Sequence, residues 1–357
     1  MKKKVLVFGL SDRVGGVENF YFSYYRKLDH TKYQIDFAVK YDTVFNEKEV
    51  KANGGKIFSI PNFRHHPFLH HRLLKDIIKN GDYDIIHANT VSVADILHLK
   101  LAKKYKVKKI IIHSHNSGMK PNIIFRFFHT LNKPKLKKLG THFLACTEDA
   151  GNWLFGKKLK FDVLNNAFDI NKFKYNEKYR TEIRKELNIK DEFVIGHVGR
   201  MCYQKNQEFL IRLFNEYVKI NKNSKLILIG CGHDEENIKK LIQELNLNNT
   251  VLIIHSDDPY KYYSAFDVFT FPSRYEGLGI VGVEAQINGL PCLFSNTIPK
   301  DIKINNNIEF LPITDIEKWV IALNSKKLKR VDKINSRIKK YDIENEVKKL
   351  EKIYQGD

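Results

Sequence analysis

Nowhere does this 357-residue sequence hold the ~18 consecutive apolar residues that a membrane-spanning helix needs, so any membrane contact is expected to be peripheral. Cysteine is scarce. Cys146, Cys202, Cys231 and Cys292 lie far apart and form no Cys-x-x-Cys pair, which argues against a disulfide framework and suits core positions in a reducing cytoplasm. The start lacks a secretory pattern: after the basic residues 1–4, a short apolar run at 5–10 meets Ser11, Asp12 and Arg13, and it reads as a first strand. Acidic residues are missing between Ile96 and Thr147, whereas residues 100–138 carry twelve Lys or Arg. The formal net charge of +20 is correspondingly lopsided, with 30 basic against 14 acidic side chains in residues 1–165 and 31 against 27 in the remainder. Such a first half suits either an anionic partner, for example an anionic membrane surface or a diphosphate acceptor, or an ordinary solvated lysine-rich surface. Nucleic acid is not expected as a partner, because no aromatic-basic recognition motif accompanies the charge.

What the chain does have is alternation. Short β-branched apolar runs at 4–8, 34–39, 56–60, 84–87, 108–113, 141–146 and 161–164 are separated by longer segments of helical period. This argues for βαβ units and a parallel sheet. After an Asn-rich stretch at 165–176, suited to a linker, the pattern restarts at 193–198, 225–229, 250–254, 267–271 and 291–294. The expected organisation is therefore α/β, with two Rossmann-like doubly wound domains, 1–165 and 166–341, facing across one cleft at the carboxyl ends of their strands. Apolar residues Ile343, Val347, Leu350 and Ile353 predict a terminal helix, 342–357, that packs back on the first domain.

The strongest chemical constellation is SRYEGLGIVGVEAQINGLP, beginning at Ser273. A strand gives way at Pro272 to a turn holding Glu276, Gly277, Leu278 and Gly279, and Ile280 opens a helix that carries Glu284. Such a turn lets backbone amides approach a ligand at a helix N-terminus, where negative charge is favoured. Glu276 can accept hydrogen bonds from sugar hydroxyls and Glu284 from a ribose diol; the bland alternative is a glycine turn with a solvated glutamate. A second cluster, GHVGRMCYQKN, places Arg200 and Lys205 after another strand. There they can grip a diphosphate or simply decorate the next helix. In the first domain, Gly15 and Gly16 follow the first strand and open a helix, a position for amides that face a phosphate or sugar. His115, in HSHN after the strand at 108–112, can bond a sugar hydroxyl, assist a proton, or be structural.

Other signals point away from metal. Asp82-Tyr83-Asp84 looks like an Asp-x-Asp metal motif but sits at the start of a strand and reads as a turn. His65, His66, His70 and His71 have no accompanying carboxylate set and read as an exposed loop.

Taken in order, GGVE, YDIIHAN, HSHN, LACTEDAGNWLFG, NNAFDINKF, VGRMCYQKN, LILIGCG and DVFTFPSRYEGLGIVGVEAQINGLP resemble the family-4 glycosyltransferases of GT-B fold, of the bacterial capsule and exopolysaccharide type, over nearly the whole chain. The resemblance implies a metal-independent, retaining transfer of sugar from a nucleotide diphosphate-sugar, UDP more than another base, to a lipid-linked saccharide acceptor, with no cofactor. It implies an acceptor-side first domain, 1–165, and a nucleotide-sugar-binding second domain, 166–341, with Glu276 near the donor sugar, Glu284 on the ribose, Arg200 and Lys205 on the diphosphate, Gly16 in the first-domain glycine loop and His115 beside the donor sugar. Gly279 stands where close relatives often carry proline. Were the turn and helix one continuous helix, Glu276 and Glu284 would lie about 12 Å apart at 1.5 Å per residue. That is too far for a double displacement through paired carboxylates ~5 Å apart, and it leaves a front-face reaction through an oxocarbenium-like state. A sugar-nucleotide epimerase of the same fold and a non-catalytic glycosyltransferase-like subunit are the competing readings.

Overall fold

In the computed structural model, residues 2–13, 15–116, 123–256 and 258–356 are described. The chain divides into two compact units, one of residues 1–168 with 340–357 and the other of residues 169–339.

The apolar runs of the first unit form β1 (Lys3–Phe8), β2 (Tyr33–Val39), β3 (Ile57–Ser59), β4 (Ile85–Thr90), β5 (Lys109–Ser114), β6 (His142–Ala145) and β7 (Asp162–Val163). They build one parallel sheet in the order β3-β2-β1-β4-β5-β6-β7. The period of two along β1 sorts its side chains to the two faces. Val5 and Val7 join Phe22, Tyr24 and Val347 in one core, while Leu6 and Phe8 join Leu74, Ile78 and Leu99 in the other. Near-continuous apolar strands follow from helices covering both faces.

The second unit repeats the plan with β8 (Phe193–Val198), β9 (Ser224–Ile229), β10 (Val251–Ile254), β11 (Val268–Phe271), β12 (Cys292–Ser295) and β13 (Ile308–Leu311), in the order β10-β9-β8-β11-β12-β13. Both orders reverse direction next to the first strand of their unit. An open parallel sheet leaves its ligand crevice at that reversal, outside the carboxyl ends of the strands. The positions so marked are the loops after β1 and β4 in one unit and after β8 and β11 in the other.

The terminal helix Ile343–Gln355 belongs to the first unit. Asp342 caps it by accepting from the Glu344 amide, and Ile343, Val347, Leu350 and Tyr354 bury one face. At its C-terminus Lys3 Nζ donates to the carbonyls of Tyr354 and Gln355 at 3.2 and 2.8 Å, which satisfies groups the helix itself leaves open. Two sequence expectations fail. Of the cysteines only Cys292 is buried; Cys231 is exposed, because it lies in the loop beyond β9 and not in the strand. His70 is no loop residue but a buried member of the helix Pro67–Asn80, whose Pro67 sets the first turn.

Candidate functional site

In the second unit two loops are knitted together. The Gln204 carbonyl accepts from the Arg274 amide at 2.8 Å, Gln204 Nε2 donates to the Tyr275 carbonyl at 3.0 Å, and Asn206 Nδ2 donates to the Pro272 carbonyl at 3.2 Å. These bonds hold Lys205 against Glu276, with Nζ 2.8 Å from Oε1. Both side chains are largely enclosed, 16% and 7% exposed, and the ammonium also sits 5.0 Å from the centre of the Phe271 ring. A charge-assisted bond of this kind offsets the desolvation of two ions that would be costly to bury alone.

Arg200 differs from Lys205. It is exposed, and its guanidinium has no partner among the described residues, although its backbone carbonyl is fixed by Gln207 Nε2 at 3.0 Å. The two cations that the sequence groups together are thus in different states: Arg200 is open to an anion and Lys205 is already paired.

The turn after β11 places Gly279 at φ +73°, where it precedes the helix Ile280–Ile287 with no side-chain cap. A Cβ there would come within 2.8 Å of Phe271 Cε1, so shape and backbone both call for glycine. Proline, fixed near φ −65°, could not adopt this conformation. Gly277 is exposed with open space around it, and Leu278 is half-buried. The uncapped first-turn amides remain available to a negatively charged ligand. Because the helix begins only at Ile280, the helical spacing expected between Glu276 and Glu284 does not apply to the whole interval. Lys205 bonds Glu276 and also lowers the pKa of Glu284 through its charge.

Glu284 is held by a residue that sequence reading missed. The fully buried Tyr263 donates its hydroxyl to Oε2 at 2.6 Å. Part of Glu284 still reaches solvent, but its carboxyl lies among dense protein, and burial pushes its pKa up to about 7 against the pull of Tyr263 and Lys205. Tyr263 carried no motif. Only its place just before the β11 run hinted that it could reach the following helix.

In the first unit, Asn89 positions His115. Its Nδ2 donates to the Phe8 carbonyl at 3.1 Å, and that turns Oδ1 toward His115 Nε2, 2.9 Å away. Nε2 therefore carries the proton and Nδ1 keeps its lone pair for a ligand donor. Burial pushes the His115 pKa down to about 3, helped by His87, so the ring is neutral and suits hydrogen bonding better than proton abstraction near neutral pH. Phe20 meets it edge-on at 4.8 Å.

Gly15 is the N-cap of the helix Gly16–Tyr25, in extended backbone. A Cβ on it would strike Glu18 Oε2 at 2.4 Å, while Gly16 has open space. Glu18 accepts from both the Ser11 amide and the Ser11 hydroxyl at 2.8 Å and so clasps the loop to the helix. The quoted GGVE contained this residue without revealing its role, and neighbouring Val14 lies outside the described residues. Among the described residues no group of three or more His, Cys, Asp or Glu gathers as metal ligands.

Comparison with known proteins matches residues 14–172 to the family model "Glycosyltransferase Family 4" and residues 179–312 to "Glycosyl transferases group 1". The putative glycosyltransferase EpsF of Bacillus subtilis is 32% identical over 301 residues, covering 81% of this chain and 78% of that one. An Escherichia coli UDP-Gal:alpha-D-GlcNAc-diphosphoundecaprenol alpha-1,3-galactosyltransferase is 28% identical over 297 residues, 78% of this chain and 76% of its own. Among solved structures, HepE of Anabaena in complex with UDP superposes with a TM-score of 0.81 at 17% identity, over 99% of this chain and 100% of that one. Its complex with UDP-glucose gives 0.76 over the same shares.

Proposed function

Because this chain belongs to the glycosyltransferases of family 4 and group 1 and has their GT-B fold, we propose that it moves a sugar from a UDP-linked donor to a lipid-linked saccharide, with retention of anomeric configuration, in the assembly of a surface polysaccharide. The observation that carries this reading is the loop of Arg200 and Lys205 bonded to the turn of Glu276, Gly277 and Gly279, which leads into the uncapped helix that carries Glu284. Arg200 and the amides receive the diphosphate, which also draws Lys205 from Glu276 as charge develops on the leaving group. Glu284 takes the ribose, and Glu276 faces the donor sugar. In the first unit, neutral His115 is placed to accept from a sugar hydroxyl. No divalent ion is needed in this scheme, because cationic side chains and amides neutralise the diphosphate.

UDP and UDP-glucose in the HepE complexes, and the diphosphoundecaprenol acceptor in the name of the Escherichia coli relative, support the choice of donor and acceptor. We assign the reaction to the inner face of the cytoplasmic membrane, with attachment that is peripheral: no helix among the described residues is long and apolar enough to cross a bilayer. The test is UDP release from UDP-glucose, UDP-galactose and UDP-N-acetylglucosamine, with and without GlcNAc-diphosphoundecaprenol. Acceptor-dependent release giving an α-linked product supports transfer with retention. Acceptor-independent interconversion of the sugar nucleotides would instead identify an epimerase.

A further inference from the structure

Beneath the Arg200 loop, the second unit buries two polar side chains. His197 on β8 is fully enclosed, and Gln207, the first residue of the helix Gln207–Ile220, is 2% exposed. Burying such groups costs free energy unless hydrogen bonds answer them. His197 Nδ1 lies 2.9 Å from the Thr270 carbonyl on β11. A carbonyl only accepts, so Nδ1 carries the proton and Nε2 of the neutral ring presents a lone pair. Gln207 Nε2 stands 3.3 Å from that lone pair and 3.0 Å from the Arg200 carbonyl. Both neighbours are acceptors, which fixes the amide: its two N–H bonds point to the imidazole and to the loop, and a turned amide would set its oxygen against two lone pairs. Burial pushes the His197 pKa down to about 4 against the Thr270 bond, with the Lys205 charge adding to the fall, so the ring keeps its acceptor near neutral pH.

The relay ends on the peptide that follows Arg200. Its carbonyl is taken by Gln207, and its N–H, that of Met201, donates to the Cys231 carbonyl at 3.0 Å, so one peptide plane is gripped from both sides. The other end of the loop has separate fastenings, since Gln204 and Asn206 bond the turn that carries Glu276. Gly199 leaves the room the relay needs: a Cβ there would come within 3.3 Å of His197 Nε2.

Resting on the reading that Arg200 receives the diphosphate, we propose that His197 and Gln207 are positioning residues for it: the imidazole holds the Gln207 amide, and the amide fixes the backbone from which the exposed Arg200 side chain reaches the nucleotide. Neither residue touches the ligand. An exposed arginine loses freedom when it binds, and a backbone already set in place reduces that cost. Lys205, fastened through the Glu276 turn, does not depend on the relay. Because Thr270 lies on the strand that leads to that turn, the same imidazole also ties the Arg200 loop to the strand before the two glutamates.

Calorimetric titration of wild type, Gln207→Met, Arg200→Ala and the double variant with UDP tests the proposal. Methionine keeps the length of the side chain and removes the amide. Gln207→Met should weaken UDP about three- to tenfold when Arg200 is present, the scale of one lost neutral hydrogen bond, and less than about twofold when Arg200 is already Ala. Equal losses in the two backgrounds, or none in either, would overturn the positioning role and leave the nucleotide reading standing. Arg200→Ala binding UDP as wild type does would remove that reading as well. Further measurements decide the matter if Gln207→Met does not fold. Imidazole nitrogen NMR of wild type should find the His197 proton on Nδ1. His197→Gln, with an acceptor near the place of Nε2, should bind UDP more tightly than His197→Asn, which keeps only a donor toward Thr270. A proton on Nε2, or equal affinities in these two variants, would overturn the relay.

Discussion

Glu284 and Arg200 prepare for a nucleotide in different ways, and pH separates them. The pKa of Glu284 rises on folding from 4.5 to about 7 because burial disfavours its charge. Below about 4.5 the group is protonated in both folded and unfolded chains and contributes no difference. As pH climbs from about 4.5 to 7 the unfolded chain gives up this proton while the folded chain keeps it, so stability falls by up to about 3 kcal/mol and levels off above 7. Glu284→Gln should therefore lose that slope, so its melting temperature gains on wild type between pH 5 and 8. A ribose diol donates more strongly to a carboxylate than to the acid, so UDP affinity measured as the ratio of wild type to Glu284→Gln should rise over the same interval. A flat ratio would remove Glu284 from the ribose. Arg200 is exposed and its guanidinium has no partner among the described residues, so Arg200→Ala should leave stability within about 0.5 kcal/mol. It should weaken UDP binding by roughly 10- to 100-fold, the worth of one charge-assisted bond. Lys205→Ala should behave otherwise and cost about 3 kcal/mol of stability, because it strands the Glu276 carboxylate at 7% exposure. Calorimetric titration and denaturant melts of the two variants would expose a wrong division of labour if their profiles coincided.

At the scale of elements, the left-handed turn at Gly279 decides where the helix carrying Glu284 begins. Gly279→Ala should destabilise by about 1 to 3 kcal/mol through backbone strain and the contact with Phe271, whereas Gly277→Ala, with open space around it, should fold normally. Equal melting temperatures for the two variants would contradict the role assigned to that turn. The helix Ile123–Asn132 illustrates what a sequence leaves open. Its acid-free composition fits equally an aromatic face packed on the sheet and a face turned to lipid. In the structure Ile123 is 87% exposed and Phe127 62%, so the apolar side does not cover the sheet. Pro121 and Asn122, which precede it in the acid-free stretch, lie outside the described residues. Arg126 lies in this helix and Lys135, Lys137 and Lys138 follow it in sequence; docking of this region on an anionic bilayer would gain about 1 kcal/mol per basic residue near the surface. Lys133 donates to the Trp153 carbonyl and is left out of that set. Sedimentation with anionic vesicles should fall with salt and fall further when Lys135, Lys137 and Lys138 become Gln. Equal binding to neutral vesicles would deny the electrostatic part.

For the whole molecule, the sequence revealed most where a residue's role depends on its own segment. The alternation of apolar runs foretold parallel sheets, and the period of Ile343, Val347 and Leu350 foretold a helix with one buried face. Roles that depend on distant residues were hidden. Tyr263 acts through a helix that begins seventeen positions later, and Asn89 reaches His115 across neighbouring strands. His70 looked like part of an exposed histidine tract until its helix turned it inward. As proposed above, the second unit holds a nucleotide diphosphate-sugar with side chains and amides in place of a metal ion. Thermal melting of EDTA-treated protein with UDP and UDP-sugars tests it most directly. Saturating ligand at 100 times its dissociation constant should stabilise the fold by about 2.7 kcal/mol, with the shift unchanged by EDTA and diminished in Arg200→Ala. A shift that appears only when manganese is restored, or no shift with any nucleotide sugar, would contradict the account.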